Sequence, residues 1–361
     1  MEGIFYLGMI VCIAVFGGLI GNKLKLPVGG MLGAMVVVIA FQLIVPLPIS
    51  FPRELQIVLM LAFGGMIGSR ITKKDMIDLK KLALPAIVMI VCMIILSITF
   101  GIVMYHFSEI DIPTALFATA PGGMVDMAIV SADFGANSGY VALLQLTRTM
   151  FVLVFMMPFY KKIGSKVSGV DSQLRDNITC SHEVGNMLPQ SAKGDYKQSY
   201  RFSITIFCAL LIGLPLWLLG IPAGAIIGAM LGSAGYNIFS GKAYFPSGLR
   251  LPLQILAGIF IGLRMDRESF FNLGGIIIPV LIIFFCVIII TFVTAFIIHK
   301  LTGLDLFTSL MASTPGGLAE MTILADDLGI DAPKVTVLHT ARLMSVIIMF
   351  PMILAFVIHI M

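Results

Sequence analysis

The chain contains two copies of one segment. Residues 114–150 read TALFATAPGGMVDMAIVSADFGANSGYVALLQLTRTM and residues 308–344 read TSLMASTPGGLAEMTILADDLGIDAPKVTVLHTARLM; at a constant offset of 194, 14 of these 37 positions are identical without a gap. The identities include Pro121/Pro315, Gly122/Gly316, Gly123/Gly317, Asp133/Asp327 and Arg148/Arg342, and Asp126 stands opposite Glu320, which keeps the charge. Equivalent residues of a duplicated chain occupy equivalent surroundings. Here the repeat carries its charges through strongly apolar sequence, the signature of a secondary transporter built from two halves.

Hydrophobic residues make up 59% of the chain and charged residues 12%, against about 45–50% and about 25% for a soluble domain. Apolar stretches at 3–21, 82–105, 275–298 and 344–361 suit membrane-spanning helices. The polar remainder is too small to solvate a globule, so the fold class is an all-α polytopic membrane protein whose first partner is the lipid bilayer, in the cell membrane. The net charge of +4 resides in loops and makes no basic, base-stacking face, so nucleic acid is not a partner. Cys12, Cys92, Cys180, Cys208 and Cys286 have neither metal nor disulfide spacing. Asn177-Ile178-Thr179 fits a glycosylation acceptor but falls in sequence expected in the cytosol. Residues 3–21 lack a basic flank and read as a first helix rather than a signal peptide.

Each half divides into six apolar pieces, at about 3–21, 27–46, 54–69, 82–105, 113–131 and 138–160, then 202–219, 222–239, 250–263, 274–298, 305–325 and 333–361. Further echoes relate Leu26-Pro27 with Gly33-Ala34-Met35 to Ile221-Pro222 with Gly228-Ala229-Met230, and Ile67-Gly68-Ser69-Arg70 to Ile261-Gly262-Leu263-Arg264. The organisation is a first membrane repeat over 1–160, a polar linker over 161–201 with seven basic and four acidic residues, and a second repeat over 202–361.

Loop charge sets the orientation. Lys23 and Lys25, and then Arg70, Lys73, Lys74, Lys80 and Lys81, mark two cytoplasmic loops, whereas Glu109 and Asp111 mark an outer one. The basic linker is cytoplasmic only if the fifth piece enters and returns on one side. Pro121-Gly122-Gly123 lies near its middle, where proline breaks a helix and glycine permits a reversal. In the second half the basic residues move to the alternate loops (Lys242, Arg250, Lys300). The expectation is ten spanning helices and two re-entrant hairpins in inverted halves; a discontinuous, fully crossing fifth piece is the alternative and fits the charges less well.

The candidate binding residues are Pro121, Gly122, Gly123, Asp126, Gln145 and Arg148 in one half and Pro315, Gly316, Gly317, Glu320, His339 and Arg342 in the other. Half-helices starting at the glycines would aim free N–H groups at an anion. A charge at the membrane centre costs roughly 2.5–3.5 kcal/mol, so Asp126, Arg148, Glu320 and Arg342 require partners. Structurally, they would form two fixed pairs, Asp126–Arg148 and Glu320–Arg342. Functionally, the carboxylates would take Na⁺ or H⁺ and an arginine would clamp a substrate carboxylate. Asp133 and Asp327, each two residues before a glycine, suit an exit turn with a capping role. Gln145 and His339 precede the arginines by three residues on the same helix face.

No catalytic constellation is present. The five histidines are scattered, with no HExxH, no phosphate-binding lysine loop and no nucleophile elbow, so neither an enzyme, a resident metal nor a cofactor is expected.

The duplicated P-G-G-x-x-[DE]-M segments, Pro121–Met127 and Pro315–Met321, and the arginine helix after each resemble the AbrB family of membrane proteins, over the whole chain and one unit per half. Members carry labels of ammonia monooxygenase or regulator of gene expression. The histidines do not support the first, and without a DNA-binding element the second is at most indirect. Five helices plus a hairpin per inverted half is also similar to sodium:glutamate and 2-hydroxycarboxylate symporters, which carry G-G-x-G where this chain has Pro-Gly-Gly-Met and Pro-Gly-Gly-Leu. The resemblance carries the architecture further than the substrate; with the charged residues it gives the expectation of a Na⁺- or H⁺-coupled transporter of a small solute, an organic anion, working by alternating access, with a homodimer as one admissible assembly. The other reading is a ligand-sensing membrane protein that regulates gene expression indirectly. A sensor needs an output element, for which the 41-residue linker is short and polar.

The orientation is directly testable. With the other four cysteines replaced, Cys180 in the linker should react with a membrane-impermeant thiol reagent only after the membrane is opened; labelling in intact cells overturns the inverted topology.

Overall fold

The computed structural model describes residues 2–24, 28–44, 51–167, 196–221, 223–264 and 275–360, apart from the side chains of 2–7, 164–167, 196, 197, 319, 320, 323, 326, 327 and 358–360. Every element among the described residues is a helix. The first half comprises α1 (Glu2–Lys23), α2 (Gly29–Ile44), α3 (Arg53–Gly68), α4 (Lys73–Lys81), α5 (Ala83–Phe107), the short α6 (Ile112–Thr119) and α7 (Met124–Ser131), then α8 (Ser138–Phe151), a π-helical turn (Val152–Met156) and α9 (Met157–Val167). The second comprises α10 (Tyr196–Leu218), α11 (Gly224–Ser240), α12 (Arg250–Leu263), α13 (Ile277–Thr302), the short α14 (Leu306–Ser313) and α15 (Leu318–Asp327), and α16 (Ala332–Ile360).

The contacts repeat with the halves exchanged. α1 packs on α2 as α10 packs on α11; α2 packs on α12 as α11 packs on α3; α5 packs on α6 as α13 packs on α14; and α5 and α13 pack on each other. Arg264, just past the end of α12, reaches Gln56 near the start of α3 at 3.4 Å, so the end of one meets the start of its counterpart. Small residues allow the tightest of these contacts. A Cβ placed on Gly33 would lie 2.1 Å from the carbonyl oxygen of Gly17, and one on Gly232 would lie 2.1 Å from that of Cys208, so the backbones of α1–α2 and of α10–α11 touch.

Among the described residues, five helical segments are long and apolar enough to cross a membrane: Ala83–Phe107, Ser138–Ile163, Gln198–Leu218, Ile277–Thr302 and Ala332–Val357. Several of the others expected to span are shorter: α2 and α3 have 16 residues each and α12 has 14. At about 1.5 Å per residue a helix of that length covers about 24 Å, less than a bilayer core of about 30 Å.

The sequence reading treated 70–81 as a loop. It contains α4, bent 68° from α3 and opened by a capping box in which Thr72 and Asp75 bond each other's backbone N–H. None of its residues is buried, so its lysines cover one side of a surface helix. The expected linker also begins and ends as helix, α9 continuing to Val167 and α10 starting at Tyr196; residues 168–195 lie outside the described residues.

α6 and α14 start alike. Asp111 and Asp305, themselves 194 apart, accept from the backbone N–H of Thr114 and Thr308, each at 3.0 Å. At the far end of the α6–α7 segment the backbone N–H of Asn137 donates to Thr114 Oγ1 at 2.8 Å, so the chain returns to the place it left. The exit turns also match, with Gly135 at φ +72° and Gly329 at φ +67°, a conformation glycine adopts without strain.

The packing predicts a steric limit. Gly33→Leu should destabilise the α1–α2 pair by about 1–3 kcal/mol and lower the melting temperature of the purified protein, whereas the same change at Gly8, which has open space around it, should not. Equal melting temperatures would contradict the backbone contact.

Candidate functional site

Each short-helix pair is interrupted at the repeated Pro-Gly-Gly. Within a helix the Phe117 carbonyl would accept from the N–H four residues later, but residue 121 is proline and has none. Gln145 on α8 supplies the missing donor: its Nε2 donates to Phe117 O at 2.8 Å and to Ala120 O at 3.0 Å. Arg148, one turn further, donates from Nη1 to Ala120 O and from Nη2 to Gly122 O at 2.6 Å. The second half repeats this at an offset of 194: the carbonyl facing Pro315 is that of Met311, which His339 Nε2 meets at 3.0 Å, while Arg342 donates from Nη1 to Thr314 O at 2.7 Å and from Nη2 to Gly316 O at 3.0 Å. Because Nε2 is the donor to Met311 O, His339 carries its proton there, leaving Nδ1 as an acceptor.

The glycines are dictated by what folds over them. Asp126 Oδ2 lies 2.4 Å from where a Cβ of Gly123 would be, so the carboxylate turns back over the start of α7. The Met127 side chain covers Gly122 and the Met321 side chain covers Gly316 in the same manner. The repeated methionine of P-G-G-x-x-[DE]-M is therefore the lid on the first glycine.

The expected Asp126–Arg148 pair is not present among the described salt bridges, and the guanidinium is spent on carbonyls instead. The basic residue whose charge bears on Asp126 is Arg70. The side chains of Glu320 and Asp327 lie outside the described residues. Asp133 does sit in the exit turn, but its side chain accepts from Gln56 Nε2 at 3.0 Å; the residue that caps α8 is Asn137, whose side-chain oxygen accepts from the N–H of Gly139 and Tyr140. Gln56, Arg70 and Asp111 were not singled out as site or cap residues from the sequence. The Asp-x-x-Thr spacing repeated at 111 and 305 was the available signal for the caps.

Each break touches the other half of the chain. Val152, one turn beyond Arg148, lies 3.2 Å from a Cβ built on Gly316, and Tyr160 Oη hydrogen-bonds Thr314 Oγ1 at 2.8 Å. Phe117 in α6 meets Phe350 of α16 with ring centroids 6.1 Å apart. The charge of Arg148 bears on Arg342. They are only 5% and 6% exposed and Asp126 is 9% exposed. In both halves the Nε of the arginine, together with Gln145 Oε1 and His339 Nδ1, is buried without a hydrogen-bond partner among the described residues. This leaves two buried like charges, with unused donors, beside two sets of helix termini. No group of three or more His, Cys, Asp or Glu suited to a metal occurs among the described residues.

The capping of the breaks makes a testable demand. Gln145→Leu and His339→Leu each strand a buried carbonyl and should cost about 1–3 kcal/mol. The exchange of the two, Gln145→His with His339→Gln, keeps a donor in each place and should restore most of the loss in a melting measurement; an exchange as damaging as the leucines would show that the two sites are not equivalent.

Comparison with known proteins agrees with the duplication. The family model described as "Transition state regulatory protein AbrB" matches residues 1–164 and 177–358. The chain is 27% identical over 362 aligned residues to "Uncharacterized protein YhjN" of Bacillus subtilis (strain 168), covering 94% of this chain and 90% of that one. It is 24% identical over 354 aligned residues to "Putative regulator AbrB" of Escherichia coli (strain K12), covering 97% and 96%. With the family model matching nearly the whole length in two successive stretches, the chain belongs to the AbrB family.

Proposed function

We propose that the chain is a secondary transporter of a small organic anion, coupled to Na⁺ or H⁺ and working by alternating access, with its two Pro-Gly-Gly breaks as re-entrant hairpins in inverted halves. The observation that carries this reading is the pair of buried guanidiniums, Arg148 and Arg342, each bonded to the carbonyls of its own break and each with an unused Nε donor among the described residues. Two like charges in an apolar interior repel each other, and an anion placed between them relieves that repulsion while taking the free donors. Non-helical backbone at such a depth suits a cavity that water or solute enters.

Several contacts favour inverted halves. The end of α12 meets the start of its counterpart α3, and the return of Asn137 to Thr114 favours a hairpin over a full crossing. Gln56, Asp133 and Arg264, which loop charge assigns to the outer side, lie together, as do Ser69, Ile71 and Asn237, assigned to the cytoplasmic side. Among the described residues no arginine is bonded to Asp126, which folds onto the N-terminus of α7, and this carboxylate is the proposed acceptor of the coupling cation.

The name of the Escherichia coli relative favours a second reading, a membrane protein that binds the anion and signals. The two differ in whether solute crosses the bilayer. In proteoliposomes, a panel of small mono- and dicarboxylates applied under an inward Na⁺ or proton gradient should produce gradient-dependent accumulation of at least one. Arg148→Gln and Arg342→Gln should each lower its affinity at least about tenfold, and Asp126→Asn should leave binding but remove the gradient dependence. Binding without accumulation would favour the sensor. Wild-type affinity in both doubly changed proteins, Asp126→Asn with Arg148→Gln and Glu320→Gln with Arg342→Gln, would remove these residues from the site.

A further inference from the structure

One end of the bundle holds a cavity of about 720 Å³, lined by both halves and by neither Arg148 nor Arg342. Its size falls within the roughly 300–1,000 Å³ of small-molecule sites. Its polar side is a chain of side chains. Arg264 Nη2 donates to Gln56 Oε1 at 3.4 Å and Gln56 Nε2 donates to Asp133 Oδ1 at 3.0 Å. The backbone N–H of Ala223 also donates to Asp133, and Arg53 lies near enough to act on its charge. Gln56 is buried and fixed at both ends of its amide, so it sets the distance between Arg264 and Asp133.

Two guanidiniums against one carboxylate leave the lining with one positive charge. Arg264 is exposed, but its guanidinium lies over the Phe260 ring, 4.9 Å from its centroid, and that ring is braced edge-on by Phe51 at 5.2 Å. The rest of the lining includes the aromatic rings of Phe51, Phe134 and Trp217. Phe134 is itself anchored by Phe117 at 5.1 Å. Among the described residues, a lining with one net positive charge beside aromatic rings suits a ligand with one negative charge and an apolar body. Asp133 works against a second negative charge, and the aromatic walls give nothing to a small hydrated ion.

The geometry points to a second binding site in this cavity, for a soluble monocarboxylate with an apolar body, in which Arg264 and Arg53 hold the carboxylate and Phe51, Phe134 and Trp217 hold the body. The site is separate from the paired breaks, and binding there is read without any gradient, so it stands or falls independently of transport.

Trp217 is the single tryptophan of the chain, so its fluorescence reports this cavity alone. Purified full-length protein is titrated with cyclohexanecarboxylate, with cyclohexanecarboxamide and with acetate. Cyclohexanecarboxylate should change Trp217 emission saturably, while the carboxamide, which lacks the charge, and acetate, which lacks the body, should not at the same concentrations. Arg264→Gln should weaken the acid about tenfold, whereas Asp133→Asn, which removes the opposing charge yet still accepts from Gln56, should tighten it. Opposite shifts are required, because loss of structure would weaken binding in both. Should Arg264→Gln fail to fold, Arg53→Gln on the exposed first turn of α3 carries the same expectation of weaker binding. Equal response to acid and carboxamide, equal response to acetate, or a shift of both charge variants in the same direction overturns the proposal. So does a response to decanoate with none to cyclohexanecarboxylate, which would make the cavity a groove for lipid tails.

Discussion

A proline in the middle of an apolar helix leaves a carbonyl with nothing to accept, and inside a membrane-like interior that carbonyl must be met by another part of the chain. Much of the central architecture answers this need. Pro121 removes the donor for Phe117 O and Pro315 the donor for Met311 O; Gln145 and His339 replace them, and Arg148 and Arg342 collect the next free carbonyls of each break. Each break is thus held to the helix that follows its exit turn, and neither short helix has to satisfy its own end. A buried guanidinium suits the task because its planar fork reaches two carbonyls at once.

This bonding fixes what can move with what. α6 and α8, joined by four side-chain bonds at the break and one at the exit, form one body in the first half, and α14 and α16 form the equivalent body in the second. The glycine-lined α1–α2 and α10–α11 pairs, crossed by α12 and α3, form a separate tight frame. The frame is held by backbone contact and the breaks by polar side chains, so the two parts differ in the chemistry that keeps them together.

Much of this could be read from the residues, and the failures have physical causes. The duplication, the six pieces per half and the breaks were legible because proline and glycine act locally and the charges are few. The partners of Arg148 and Arg342 were not, since a backbone carbonyl leaves no mark on the sequence and a carboxylate such as Asp126 seems the natural mate. The mark that did exist is the proline itself, which names the orphaned carbonyl four residues before it. α4 was hidden by its lysines, which signal loop charge and helix surface equally well; the Thr72–Asp75 spacing distinguished the two. The cavity at Arg264 was out of reach because Gln56, Asp133 and Arg264 are far apart in the chain and meet only when the halves assemble.

The π-helical turn at Val152–Met156 marks where the halves stop being copies. From Arg148 to Pro158 the chain takes one residue more than from Arg342 to Pro351, and a π turn is how a helix absorbs a single extra residue without turning the rest of its length to a new face. The wide turn begins at Val152, which leans on Gly316, and it precedes Tyr160, which reaches Thr314. The neighbours closest to Gly122 come from its own Met127. The second break is therefore roofed by the helix that follows the first, whereas the first break meets the second half through Phe117 against Phe350 of α16. Two matched parts have acquired one odd tooth, and the surroundings of their breaks differ accordingly.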